Sequence, residues 1–531
     1  MKKIITVSLV AALSISSVNA NSLNSKLAKL ESEIAKLKKQ VKKQNTKINT
    51  VKAHDSGDNL KWGADFRTAI DNINYDMADG SSADKNGLLS ERLWLNMAYA
   101  PDTHNVFKAQ LSMNKAFGAD FASPVNRTFS LGGQFDWTGN EALTNNTVKV
   151  RQAYWLYLGE KAFGLDMPWT FSVGRRPSTN GFLANLREDD PAQSPLGHII
   201  NVEFDGLSSK LDLSNITGVP GMSFKICMGQ GSTNAQPLFQ SPTPYADGDA
   251  SGIDDIKLAG FIFEPYNDGQ YIVKTTWYKA FDLPGQDGIA TLDMANPMNP
   301  SLTSINPSAF KQYGDMEGAA LSVMVDGLTD EGYFADAKVF GSFAWSKTLP
   351  SSGSSMLGST KSETGTSYWL GTQLPVTEQA KFGLEFNHGS QYWRPFTYAE
   401  DTMIGSKLAA RGDAVEAYLT YQLTDSLSAQ LRYTKIDYDY TGSNGFFGNF
   451  SGAANKISDM KAAAKAFRMM GGNVDAGGAH NLGAVTGALM AQGMPMQQAQ
   501  QTAGQMAGAA LFLPNIVESA QDLRFYIRYR F

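Results

Sequence analysis

Over the last ten residues Leu523, Phe525, Ile527, Tyr529 and Phe531 alternate with Arg524, Tyr526, Arg528 and Arg530. A repeat of two is the side-chain period of a strand. One face is apolar and aromatic, the other strongly basic. Such a strand suits lipid on one side and a water-filled lumen on the other, better than the edge of a soluble sandwich. The same rhythm recurs upstream. Leu60, Trp62, Ala64, Phe66, Thr68 and Ile70 oppose Lys61, Asp65, Arg67 and Asp71, while Leu93, Leu95, Met97 and Tyr99 oppose Arg92, Trp94 and Asn96. Phe107, Ala109, Leu111 and Met113 oppose Lys108, Gln110, Ser112 and Asn114.

Besides these and the last strand, 522–531, strands are expected near 147–158, 168–176, 198–213, 221–229, 255–264, 270–281, 315–327, 333–347, 365–375, 380–393, 412–424 and 427–439. The total is about sixteen, an even number, as a single-chain antiparallel transmembrane β-barrel requires. Connections alternate between short ones (101–105, 159–167, 214–220, 265–269, 328–332, 376–379, 425–426) and long ones (76–87, 118–146, 177–197, 230–254, 282–314, 348–364, 394–411, 440–521). Short periplasmic turns and long external loops are the barrel arrangement, and both ends of the chain then lie in the periplasm. The barrel is expected over 60–531. Its last loop, about 440–521, is rich in alanine, glutamine, glycine and methionine over 457–470 and 482–511. It is expected to be helical, because a structureless segment of that length is uncommon.

A different period precedes the barrel. Leu27, Ile34, Val41 and Ile48 fill one heptad position, and Leu23, Leu30, Leu37, Gln44 and Val51 the other. Four unbroken repeats predict a left-handed coiled coil over 21–53. Nine lysines on this stretch face only Glu31 and Glu33. The plain reading is a solvated helix face; the sharper one is contact with anionic cell-wall polymer (peptidoglycan) in the periplasm. Residues 1–20 read as a signal peptide: Lys2 and Lys3, an apolar run over 4–15, and the small residues Val18-Asn19-Ala20 for cleavage.

Composition narrows the class. The only cysteine is Cys227, so no internal disulfide holds the fold together. Beyond the signal no run of eighteen apolar residues exists, which excludes an α-helical membrane protein. Aromatic content of 11%, 50 glycines and a net charge of −5 suit a barrel and argue against a nucleic-acid partner.

The lysine-rich heptads, the barrel length and the terminal phenylalanine together resemble the porin superfamily. The strings Val173-Gly-Arg-Arg-Pro-Ser-Thr-Asn-Gly181 and Phe382-Gly-Leu-Glu-Phe-Asn-His-Gly-Ser-Gln-Tyr-Trp393 are similar to a porin-like family of unassigned function with an N-terminal coiled coil. The resemblance implies outer-membrane lipid as surroundings, passive diffusion of small hydrophilic solutes, and a homo-oligomer, usually a trimer. The heptad pattern instead favours two strands, so the number of subunits stays open.

Alternation places Arg67, Arg92, Arg432, Arg524 and Arg528 on the luminal faces of strands that become neighbours on closure. They read as a basic wall that would favour anions, or as partners that brace Asp65, Asp71, Glu385 and Glu416. By resemblance, the third long loop, with Arg187, Glu188, Asp189 and Asp190, folds inward as a constriction. The other reading is an exposed acidic tip. Catalysis is not expected: His388 with Ser390 is the best candidate, and an interfacial role beside Tyr392 and Trp393 explains it equally. Cofactors and metals are not expected either. The methionines of the last loop read as packing rather than a copper(I) site. The Asp247–Asp255 stretch begins like a calcium loop but has Leu258 where glutamate belongs. The competing functional reading is a structural one: an occluded barrel tethered to the cell wall through the coiled coil.

Overall fold

A computed structural model describes residues 60–119, 141–237, 245–247, 253–329, 331–397 and 401–531. The signal segment, the heptads and the middle of the Asp247–Asp255 stretch lie outside these. The barrel unit comprises Lys61–Ala98 and His104–Phe531.

Sixteen strands, numbered β1–β16, form one closed antiparallel barrel in chain order. They are β1 (Lys61–Met77), β2 (Ser82–Tyr99), β3 (Asn105–Ala116), β4 (Lys149–Gly159), β5 (Trp169–Arg176), β6 (Phe204–Asp212), β7 (Ser223–Ser232), β8 (Ile256–Asn267), β9 (Tyr271–Gly285), β10 (Lys311–Asp326), β11 (Lys338–Pro350), β12 (Thr364–Pro375), β13 (Ala380–Gly389), β14 (Gly412–Gln422), β15 (Leu427–Tyr438) and β16 (Val517–Arg530). Closure is made by β1 on β16, with Asp65 opposite Arg530, Arg67 opposite Arg528 and Asp71 opposite Arg524.

Burial along the strands is inverted relative to a water-soluble fold. On β16 Arg524, Tyr526 and Arg528 are 0–2% exposed, whereas Leu523, Phe525, Ile527 and Tyr529 are 43–45% exposed. Leu321, Phe343, Leu370, Leu384 and Leu431 repeat this on β10 to β15. An apolar exterior around a polar interior is the partition that a hydrocarbon surround selects, and no helix among the described residues is long and apolar enough to cross a membrane.

Five expectations need correction. The connection expected over 76–87 is a tight turn at 78–81, because Asp79 accepts the Ser81 N–H (2.9 Å) and Gly80 takes a φ of +89°. Ser82–Gly87 carry no apolar alternation, so this extension of β2 left no periodic signal. The strand expected from 198 starts at Phe204; residues Ile200–Asn201 instead pair in parallel with Phe396–Thr397. Tyr333–Asp336 form a 3₁₀ turn before β11. β16 begins at Val517, and β13 ends at Gly389 rather than running to Trp393.

The long connections all leave one end of the barrel. The last of them folds into α1 (Ile457–Met469), α2 (Leu482–Ala491) and α3 (Met496–Phe512), packed around Phe467, Val485, Ala503 and Ala507. Met506 is buried in this cluster with Met460, Met470 and Met494 against it, while Met469, Met490 and Met496 are exposed. Other stretches, 177–203, 390–397 with 401–411, and 441–456, pack inside the barrel. Leu196, Ile199, Val202, Trp393, Phe396, Phe446 and Phe447 join the inner faces of β8 to β11 in a single apolar core.

Candidate functional site

The inward-facing arginines lie in rows set by strand register. Arg92, Arg67 and Arg528 stand side by side on β2, β1 and β16; Arg432 and Arg524 stand side by side on β15 and β16, with Asp71 next on β1. Neighbouring strands are only about 4.8 Å apart, and like charges directly opposite repel. Buried rows of this kind hold together only if carboxylates are interleaved.

The 177–203 connection supplies some of them. It leaves the barrel between β5 and β6, yet its acidic tip is bonded to β12 through β16, which follow β6 by six to ten strands in the barrel order. Gln373 Nε2 donates to the Leu186 carbonyl (2.9 Å) and Gln430 Nε2 to that of Arg187 (2.8 Å). The segment therefore crosses the interior. Glu188 Oε1 receives Arg432 Nη1 (3.2 Å) and lies 3.8 Å from Arg67 Nη1. Its Oε2 receives Tyr526 Oη (3.1 Å) and Arg528 Nη1 (3.3 Å). Arg528 and Arg530 both reach Asp190 Oδ1, at 2.9 and 2.8 Å. Arg187 Nη1 lies 3.3 Å from Glu416 Oε2. Asp189 stays at the solvent side, paired with Lys381 (2.8 Å).

Wall acids complete the lattice. Arg528 Nε donates to Asp65 (2.8 Å), Arg524 Nε to Asp71 (2.5 Å), and Arg92 lies 3.6 Å from Asp65 with its guanidinium over the Trp94 ring. Two members carried no sequence signal. Glu141 bridges Arg67 (2.9 Å) and Arg524 (2.6 Å), and Lys407 joins Glu385 (2.7 Å) to Glu416. Both sit in long connections, where no periodicity marks the direction of a side chain. All five wall arginines are thus ion-paired. Of the two readings of these arginines, the ion pairs match the bracing one, and burial favours it because unpaired guanidinium rows are costly. Burial opposes ionisation of Glu188, but Arg67, Arg528, Arg432 and Arg187 outweigh it and hold the carboxyl well below its usual range. Glu141 is held down in the same way by Arg524 and Arg67.

A second tie uses neutral groups. His198, fully buried, bonds Ser342 Oγ through Nδ1 (2.8 Å) and Ser367 Oγ through Nε2 (2.9 Å). Burial pushes its pKa down to about 3, so the ring is uncharged. The other candidate histidine, His388, pairs with Asp413 (2.7 Å) on the outer face and stacks on Tyr368, while Ser390 Oγ accepts the Thr366 N–H. No cluster of three metal-ligating side chains occurs among the described residues.

A closed sixteen-stranded barrel, apolar outside and crossed inside by a clamped segment, defines the class: a transmembrane β-barrel. The family model described as "Protein of unknown function (DUF3373)" matches residues 82–482, and the chain belongs to that family. No curated protein matches the sequence. Among solved structures, OprB of Pseudomonas putida is similar at 12% identity, with 91% of this chain and 96% of that chain covered and a TM-score of 0.43. The anion-selective porin of Comamonas acidovorans is similar at 10% identity, with 89% and 99% covered and a TM-score of 0.41. OmpF of Salmonella typhi is similar at 12% identity, with 90% and 99% covered and a TM-score of 0.40.

Proposed function

We propose that this chain is an outer-membrane porin that passes small hydrophilic solutes passively, with a preference for anions. The observation that carries the reading is the crossing of the lumen by 177–203 inside a barrel with an apolar exterior. An inward segment fastened to the far wall narrows an aqueous path, and Arg187, Glu188 and Asp190 then form the constriction. The loop end faces outward, the turn end the periplasm, and the assembly is a homo-oligomer, a trimer by resemblance.

The anion preference rests on a wall other than the arginine ladder. Arg176 on β5, Lys210 on β6 and Lys225 on β7 form no salt bridge among the described residues. Uncompensated cations beside low-dielectric walls create a positive field in a narrow channel. A planar-bilayer recording under a salt gradient tests both parts. Discrete steps with an anion-selective reversal potential support the proposal; cation selectivity removes the anion preference and leaves the porin.

The apolar core around Trp393 and Phe396 favours a second reading, in which the interior is occluded and the barrel is a structural anchor tethered to the cell wall through the N-terminal heptads. That reading requires no current and copurification with peptidoglycan.

A further inference from the structure

We propose that the inner side of the β5–β7 wall holds a binding site for a small monocarboxylate with an apolar body; this rests on the barrel being a solute path. A cavity of about 90 Å³ lies there, lined by Arg176, Ser194, Phe204, Lys225, Cys227 and Tyr278 together with Ile200, Leu258 and Ile262. That is room for several water-sized groups.

The charge in this cavity is unbalanced. Lys225 is 9% exposed, and its ammonium donates to Ser194 Oγ (2.7 Å), with no carboxylate partner among the described residues. Lys210 stands directly opposite it on β6 and is likewise without an ion pair. Arg176 reaches back to Ser172 Oγ and over the Tyr154 ring, 4.9 Å from its centroid. The next lysine along the wall, Lys274, differs in having Glu264 at 3.5 Å. A buried ammonium without a counter-charge is costly, so an entering anion supplies what the wall lacks.

Shape and lining select among anions. Arg176 stands opposite Phe204 and Lys225 opposite Ile262, so the cations lie beside apolar side chains, with Tyr278, Ile200 and Leu258 completing the lining. Inorganic phosphate would leave oxygens facing apolar groups, unbonded and desolvated. A carboxylate on a hydrocarbon or aromatic body instead places its charge at Lys225 and Arg176 and its body against the rings.

Cys227 lines the cavity and is the only cysteine in the chain, so the native protein carries its own reporter. The test is modification of Cys227 by methyl methanethiosulfonate in the full-length barrel in detergent, with benzoate, benzyl alcohol or inorganic phosphate present. Benzoate at ten times its Kd is expected to slow modification about tenfold. Benzyl alcohol and phosphate at equal concentration should do little, and Lys225→Met should abolish the benzoate effect. Equal protection by benzyl alcohol, protection by phosphate alone, or a Cys227 that stays unreactive without ligand would each overturn the site, even if Lys225→Met fails to fold. Bilayer current separates the two proposals. A silent barrel that benzoate still protects loses the porin reading only; a conducting barrel without protection loses the site only.

Discussion

Replacing Glu188 by glutamine removes one negative charge from the centre of the clamp and keeps its shape. At an effective dielectric near 20, unit charges 3.2–3.8 Å apart attract by about 4–5 kcal/mol per pair. Glu188 makes such contacts to Arg432, Arg528, Arg187 and Arg67, so the gross attraction is roughly 19 kcal/mol, most of it offsetting desolvation of the ions. What an experiment reads is the cost of leaving buried guanidiniums short of charge, about 3–5 kcal/mol. The loss falls on the crossing segment first, because the wall strands keep their ladder hydrogen bonds. Hydrogen exchange of the Asp189 and Asp190 amides, which donate to Leu186 and Asn185 carbonyls at 3.1 Å, reports that opening directly. A local cost of about 3 kcal/mol accelerates exchange more than a hundredfold. The strand amides of β12 should be unchanged. Acceleration of less than about threefold would mean that the contacts of Gln373 and Gln430 to the segment's backbone hold it without the ion pairs.

Three further outcomes follow from the same geometry. Glu188 and Glu141 have folded-state pKa values below their unfolded ones, so their stabilisation is complete above the unfolded carboxylate range and is lost as pH falls through the folded values. Exchange of 186–190 should therefore match at pH 7 and pH 5 after correction for intrinsic rate; loosening already at pH 5 would contradict the ion pairing. Leu370→Arg, on an outward position that is 52% exposed, should destabilise the barrel in lipid vesicles by about 2–4 kcal/mol in a urea titration. A neutral effect would mean that β12 does not face hydrocarbon. Trp393→Ala, at a fully buried ring whose Nε1 donates to the Leu408 carbonyl (2.8 Å), should cost about 3–5 kcal/mol in the same titration, whereas a cost below about 1 kcal/mol would show that the internal apolar core is not packed.

Most strands were legible because a lipid-facing barrel writes its inside and outside as strict alternation. The luminal direction of Arg67, Arg92, Arg432, Arg524 and Arg528 came from the same parity. What parity could not convey was the interior itself. The run His198–Ile199–Ile200 looks like the start of a strand, because a buried loop packed against Trp393 and Phe396 is as apolar as a strand core. Glu141 and Lys407 neutralise the clamp from irregular connections, where no repeat predicts which way a side chain turns. The arginines read either as a positive wall or as braces for Asp65, Asp71, Glu385 and Glu416, and parity alone does not choose between them, because their partners come from four different connections and strands. Net field is a property of the assembled lumen, and Lys225, unremarked in a short strand, contributes to it because no acid among the described residues pairs with it.

The most direct test of the account is single-channel conductance of the native barrel beside a version in which 182–200 is replaced by a short glycine–serine linker. Small discrete steps from the native protein, rising several-fold with loss of ion selectivity once the segment is gone, are the expected result. Equal conductance in the two would show that the crossing segment does not set the constriction. Silence from both would contradict the porin reading and favour the occluded anchor.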